Sequence, residues 1–251
     1  MKRVMLRVAY DGTDYFGWQL QPGRPTIEKV LNETLSGLLG EKITVIGASR
    51  TDSGVHSLGN VAVFDTDTQI PAEKISYALN QKLPDDIVIQ ESCEVAGDFH
   101  PRYCDSRKTY EYRILNRRFP LPTKRRDSYF FYRRLDVEAM REAAGYFVGT
   151  HDFASFCSAH AQTETTVRTV YSCTVEKFED MICIRITGAG FLYNMVRIIA
   201  GTLIEVGYGA RQPGDMQAVL AACSRSAAGP TAPAHGLTMI GIEFEKEPYI
   251  S

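Results

Sequence analysis

The chain has 251 residues and a formal net charge of −2, from 28 Lys and Arg against 30 Asp and Glu. With 44% apolar residues it can bury one large core or two modest ones, which excludes a disordered tail and a uniformly basic nucleic-acid coat. Its 20 glycines and 11 prolines are ordinary usage and exclude a collagen-like chain.

In chain order, Val4, Leu6, Val8 and Tyr10 alternate with polar residues and predict a strand. Gly12, Gly17, Pro22, Gly23 and Pro25 mark a long loop. Thr26 can cap a helix carrying Ile27, Val30, Leu31, Leu35 and Leu38, which Gly40 ends. Two short strands, Ile43–Ala48 and Val61–Phe64, flank a polar turn. Pro71 opens a helix with Ile75, Leu79 and Leu83 on one face, Pro84 stops it, and Ile87–Glu91 is a strand.

The second half repeats this pattern loosely. Arg107–Leu115 reads as a strand, and Asp136 caps a helix with Met140, Ala143, Ala144 and Phe147 inward, closed by Gly149. Val170–Val175 and Met181–Thr187 form a hairpin around Phe178, Glu179 and Asp180. Helices follow at about 190–206 and 214–223, and Gly236–Phe244 is the last strand, with Ile240, Ile242 and Phe244 on one face. The expected fold is α+β: two ferredoxin-like (RRM-like) halves, residues 1–104 and 105–251, sharing a mostly antiparallel sheet with a cleft where they meet.

The six cysteines form no C-x-x-C pair, and the N-terminus has no long apolar run. The expectation is a soluble cytoplasmic protein with reduced thiols and no structural zinc. The apolar stretch Phe191–Val206 carries Arg197 and Glu205 and is too short to span a bilayer. Charge is unevenly spread. Residues 101–141 hold twelve Lys or Arg against five Asp or Glu, a net of +7, interleaved with Tyr103, Tyr110, Tyr112, Tyr129, Phe130, Phe131 and Tyr132. Basic groups can hold phosphates and aromatic faces can stack on bases; the plainer alternative is a solvated loop with tyrosines in a sheet.

Gly47 to His56, GASRTDSGVH, is a polar turn between apolar strands. As turn formers these residues need no function. Yet Arg50 and Asp52 flank a tight turn where both charged heads can face one pocket, and a carboxylate near a guanidinium stays ionised, as a nucleophile must. Arg50–His56 closely resembles the R-T-D-x-G-V-H signature of the tRNA pseudouridine synthase A family. Four further blocks resemble that family in order: Tyr10–Thr13 with Phe16–Gln19, Lys108–Tyr112, Gly190–Arg197 and Ala232–Leu237.

The resemblance implies the pseudouridine synthase fold, with Asp52 as nucleophile. It also implies isomerisation of uridine to pseudouridine at positions 38, 39 and 40 in the anticodon stem-loop of tRNA, by a homodimer. Uracil is detached, turned and rejoined through C5, without redox change or net hydrolysis, so no metal or organic cofactor is called for. Whether the carboxylate adds to ribose C1′ or to uracil C6 stays open. Arg197 corresponds to the basic partner of the aspartate; without it the carboxylate would be poorly solvated, with a raised pKa. The helical spacing of Leu192, Met195, Ile199, Leu203 and Val206 puts Arg197 opposite the apolar stripe. Tyr110 would pack on the target uracil and Leu237 would wall the pocket, although strand parity alone gives Leu237 little support. Arg50 would help evert the base. Arg24, Arg102, Arg107, Lys108 and Arg168 are candidate backbone contacts. His56 and His235 receive no chemical role.

Two rivals belong to other classes. Val61–Gln69 looks like the strand and D-x-D signature of a haloacid dehalogenase-type phosphatase, but Gln69 breaks the pattern. A non-catalytic RNA-binding module would use the same basic and aromatic residues, yet has no use for Asp52 in an anionic site.

Overall fold

The computed structural model describes residues 1–158 and 163–246. They pack as two compact units: Met1–Ser106 with the chain from Met239 onward, and Arg107–Thr238. Both are mixed α and β with mostly antiparallel strands.

The first unit contains β1 (Lys2–Tyr10), α1 (Ile27–Leu39), β2 (Ile46–Gly47), β3 (His56–Thr66), α2 (Ala72–Asn80) and β4 (Ile87–Val95). β1 is antiparallel to both β3 and β4, giving the order β4-β1-β3, and the two-residue β2 pairs with β3 off this path. The alternation in β1 sends Val4, Leu6, Val8 and Tyr10 to the face covered by Ile27, Leu31 and Leu35 of α1 and Ile75 and Leu79 of α2. Thr26 Oγ1 accepts the Lys29 N–H (3.3 Å), and Gly40, at φ 69°, ends α1.

Two expectations shift here. The strand expected over 43–48 shrinks to Ile46–Gly47, because α1 side chains take its backbone groups: Ser36 Oγ accepts the Ile43 N–H (3.0 Å) and Asn32 Oδ1 the Val45 N–H (2.8 Å). The second helix stops at Asn80 rather than reaching Leu83. Asn80 is clamped to β4, donating to the Ile89 carbonyl (2.9 Å) and accepting its N–H (2.8 Å).

The second unit holds β5 (Ser106–Asn116), β6 (Tyr129–Phe131), α3 (Val137–Gly145), β7 (Gly149–Asp152), β8 (Val167–Phe178), β9 (Met181–Gly188), α4 (Met195–Gly207) and α5 (Asp215–Ala221). Strands run β5-β9-β8-β7, all antiparallel, and the short β6, not expected from the sequence, lies parallel to β5. β10 (Leu237–Phe244) begins in this unit and passes into the first at Met239. The expected hairpin forms, with Glu179 at φ 53° in its turn. Asp136 caps α3 by accepting the Ala139 N–H (3.1 Å). Gly149 does not close α3, which ends at Gly145; at φ 117° it opens β7.

α4 begins at Met195, not near 190, because Asn194 is left-handed at φ 62°. The helix is buried on nearly all sides, not along one stripe. A Cβ on Gly201 would fall 1.8 Å from the Pro230 carbonyl oxygen, so the 228–232 segment lies directly on the side expected to be polar. Among the described residues no helix is long and apolar enough to cross a membrane.

Candidate active site

The Asp52 loop hangs between β2 and β3 and is fixed by buried polar groups. Asn60, fully buried on β3, donates to the Ser49 carbonyl (3.0 Å) and to the Tyr10 hydroxyl (3.4 Å). The Tyr10 hydroxyl, accepting there, can give its own proton to Thr51 Oγ1 at 2.8 Å. Burial pushes the Tyr10 phenol up to about 12, so it keeps that proton at neutral pH. The loop's backbone is anchored too. The Thr51 carbonyl accepts the Trp18 N–H (3.0 Å), the Tyr15 carbonyl accepts the Gly54 N–H (3.2 Å), and the Asp52 carbonyl accepts the Val55 N–H (3.1 Å), closing a turn with Gly54 at φ 77°.

The loop after β1 presses against this turn. A Cβ on Gly17, itself at φ 82°, would lie 2.5 Å from the Thr51 carbonyl oxygen, and one on Gly12 would lie 2.0 Å from the Val55 carbonyl oxygen. The Gly12 N–H donates to His56 Nδ1 (3.0 Å), and the Asp11 carboxylate lies 3.1 Å from the same nitrogen. His56 is buried and ties β3 to the first loop. Within this frame Asp52 is half-buried and Arg50 exposed. Arg24, also exposed, lies over the Phe16 ring (4.4 Å). Arg102 donates through Nε to the Gly47 carbonyl (2.7 Å), so it braces the start of the same loop.

The other predicted residues belong to the second unit. Arg197 Nε donates to the Ala232 carbonyl (2.8 Å), Nη1 donates to Asn194 Oδ1 (2.8 Å), and the Arg197 carbonyl accepts the Ala232 N–H (3.0 Å). α4 and the 232–237 segment thus hold one guanidinium between them. Tyr112, fully buried, donates its hydroxyl to the Pro233 carbonyl (2.9 Å). Burial drives its phenol far above the ordinary tyrosine range, and the nearby Arg197 charge only partly opposes this. Gly236 lies where a Cβ would meet the Tyr112 ring at 2.7 Å, and Leu237 follows, buried at the start of β10. Tyr110, buried on β5 opposite Ile186, meets the Phe191 ring edge-on at 5.3 Å.

Arg107 lies over the Tyr171 ring (4.8 Å), and Lys108 is half-buried opposite Gly188. Arg168 donates Nη1 to the Thr165 carbonyl (2.9 Å) and Nη2 to Thr163 Oγ1 (3.1 Å). The structure therefore gathers Arg24, Arg50, Asp52 and Arg102 in the first unit, and Arg107, Lys108, Tyr110, Arg168, Arg197 and Leu237 in the second.

Sequence reasoning missed the Tyr10–Thr51–Asn60 network and Phe191 behind Tyr110. Tyr10 carried a signal as the last residue of an alternating strand next to Asp11 and Gly12; Asn60, one polar residue within an apolar run, carried none. The phosphatase signature does not fit. Asp65 sits on the antiparallel β3 and is gripped by Arg3 through two 2.8 Å bonds, which hold its carboxyl below the usual range. Asp67 lies 2.8 Å from the N-terminal amine.

Comparison with known proteins agrees with the motif. The family described as tRNA pseudouridine synthase matches residues 7–104 and 143–245. A tRNA pseudouridine synthase A from Thermoanaerobacter sp. (strain X514) is 49% identical over 244 residues, covering 97% of this chain and 100% of the relative. Its namesake from Acetivibrio thermocellus is 47% identical with the same coverage, and that from Bacillus subtilis (strain 168) is 45% identical over 97% of this chain and 99% of its own length. The aspartate loop, its buried frame and these full-length matches place the chain in the tRNA pseudouridine synthase family.

Proposed function

We propose that the protein isomerises uridine to pseudouridine at positions 38, 39 and 40 of the tRNA anticodon stem-loop, with Asp52 as nucleophile. Family membership makes it an isomerase acting on tRNA. The observation that carries the catalytic assignment is the loop itself: a half-buried carboxylate on a turn fixed by Tyr10, Asn60 and two close-packed glycines. A nucleophile held on an over-determined turn loses little entropy on reaching its target.

In this reading the first ferredoxin-like half, 1–104, presents the nucleophile, and the second, 105–251, presents the base pocket. A β1 flanked by antiparallel β3 and β4, a β2 paired to β3, and helices after β1 and β3 support that description of the first half. Arg197 is the ion-pair partner that keeps Asp52 negative. Tyr110 packs on the everted uracil and assists proton transfer at C5, Leu237 walls the pocket, and Arg50 holds the opened helix. Arg24, Arg102, Arg107, Lys108 and Arg168 contact the backbone. The enzyme works as a homodimer in the reducing cytoplasm and needs no cofactor.

Incubation with unmodified tRNA tritiated at uridine C5 tests this. Wild type releases tritium, and Asp52→Asn binds tRNA within about twofold while losing on the order of 10⁴-fold in rate. A variant that still makes pseudouridine removes Asp52 from the chemistry, and no release by wild type from any tRNA favours the RNA-binding module. In Arg197→Ala the acidic limb of the pH–rate profile moves to higher pH, because loss of a neighbouring cation raises a carboxyl pKa. A monomer by light scattering under assay conditions contradicts the dimer.

A further inference from the structure

We propose that a second surface, built from Arg118, Arg125, Arg133, Arg134, Tyr132 and Tyr208, docks the phosphate backbone of the tRNA apart from the reacting nucleotide. The proposal rests on the tRNA reading above.

Between Arg117 and Arg134 the chain carries seven Lys or Arg and one acid, Asp127. Asp127 is already engaged by Lys124 (3.3 Å) and Arg113 (3.7 Å), and Arg117 lies 3.5 Å from Asp180. Arg118, Arg125, Arg133 and Arg134 are exposed and, among the described residues, make no ion pair. Four unneutralised guanidiniums on so short a stretch oppose folding by mutual repulsion, which an anionic partner relieves.

The aromatic side chains give the patch a second property. The Arg133 guanidinium lies 5.5 Å from the Tyr208 ring and 5.8 Å from the Tyr132 ring. Phe131 stacks near-parallel to Tyr208 (5.8 Å, 22°) and to Tyr132 (6.3 Å, 29°). Arg133 Nε donates to the Tyr132 hydroxyl (3.3 Å), which holds the guanidinium beside both rings and leaves its Nη N–H groups to phosphate oxygens. Tyr132 leaves 64% of its surface exposed, a platform on which a base or ribose can rest.

Beside the stack lies a groove of about 670 Å³ lined by Arg134, Lys177, Tyr208 and the first turn of α3. Its carboxylates have partners: Asp136 caps α3, Glu138 binds Arg141, and the groove's Arg211 is neutralised by Glu205 (2.6 Å). Asp136 keeps its negative charge at the start of α3, and Arg134 and Lys177 together outweigh it.

The surface is also pre-set. Asn116 at the end of β5 donates to the Phe131 (2.8 Å) and Arg133 (2.6 Å) carbonyls and accepts the Leu135 N–H (3.3 Å). A polyanion meeting charges on a clamped backbone orders less chain than one meeting a free loop. Alternating guanidinium and aryl groups match the alternation of phosphate and base in RNA better than the scattered carboxylates of an acidic protein.

The test compares Arg133→Gln/Arg134→Gln and Tyr132→Ala/Tyr208→Ala with wild type, using unmodified tRNA over a range of salt. A Lys42→Gln/Lys74→Gln double variant, exposed in the first unit, controls for net charge. The arginine variant raises KM about tenfold, leaves kcat unchanged, and lowers the slope of log KM against log salt by about 1 to 2. The tyrosine variant raises KM with the slope intact. The control changes neither. An unaltered KM and slope, a fall in kcat alone, or an equal effect in the control overturns the proposal. Direct tRNA binding by wild type and variants reads the surface even if no pseudouridine forms, so the two readings fail separately.

Discussion

The Asp52 turn and the Arg117–Arg134 stretch both follow strands and carry polar or charged side chains, yet they are built in opposite ways. The first is held from beneath by a buried network, Asn60 to Ser49 and Tyr10 to Thr51, and from the side by glycines that admit no Cβ. The second carries its function on exposed side chains and is anchored at its base by Asn116 and by a charge cluster in which Arg185 and Arg113 meet Glu111 and Arg113 meets Asp127. Chemistry on one carboxylate demands a fixed position, whereas contact with a polyanion tolerates small displacements because a phosphate's charge acts over several ångströms.

The largest test of this contrast is Gly17→Ala. The added Cβ meets the Thr51 carbonyl at 2.5 Å in a left-handed backbone, so the two loops must part. The rate should fall at least about 10²-fold, as expected when a reacting group moves by about 1 Å, while tRNA affinity holds. A near-normal rate would mean that the turn is not the rigid element described.

Asn60→Ala comes next. It leaves the Ser49 carbonyl and the Tyr10 hydroxyl without a buried donor, a destabilisation of about 1–3 kcal/mol by urea titration. Tyr10→Phe keeps the ring and removes the hydroxyl's bonds to Thr51 and Asn60, costing about 1–2 kcal/mol. Both should lower kcat and leave KM alone; a rise in KM without loss of kcat would assign the network to binding.

In the other region, Glu111→Gln probes the anchor. Burial disfavours the Glu111 carboxylate, but bonds from Arg113 and Arg185 outweigh this and hold its pKa below the usual range. A depressed folded pKa stabilises the protein above the unfolded value, and that contribution fades as pH falls through the folded value. The substitution should cost about 2 kcal/mol at pH 7, less than a fully buried pair because both guanidiniums reach solvent, and the difference from wild type should shrink toward pH 3. A pH-independent difference would show that packing, not charge, is lost.

The smallest effects are in thiol labelling, which reports whether each unit opens by itself. Burial pushes Cys93 in the first unit up to about 11 and Cys173 in the second up to about 12, whereas Cys223 is exposed. At pH 8 a disulfide reagent should modify the exposed Cys223 at once, the half-buried Cys93 more slowly and the buried Cys173 only on unfolding. Reaction of Cys93 as fast as that of Cys223, with Cys173 still protected, would show that the first unit opens alone.

Much of this organisation was legible in the sequence. Short-range rules predicted β1, α1 with its Thr26 cap and Gly40 end, the Asp136 cap and the β8–β9 hairpin, because caps, turns and alternation involve residues close together in the chain. They failed where distant side chains took backbone groups, as Ser36 and Asn32 do beside β2. They failed again where a segment from elsewhere covered a helix face, as Pro230 does at Gly201. The Arg50–His56 signature was readable because local spacing writes it.

The sequence by itself determined the aspartate turn, the longer strands and helices in their order, and the basic, aromatic character of the central stretch, but not the short β6 and β7. Only the tertiary structure decided that Tyr10 and Asn60 hold that turn, that the 232–237 segment grips Arg197, and that Tyr208, 75 residues beyond Arg133, completes its stack. The reason is that hydrogen bonds and ring contacts depend on distances between residues far apart in the chain, and composition and periodicity carry no record of those distances.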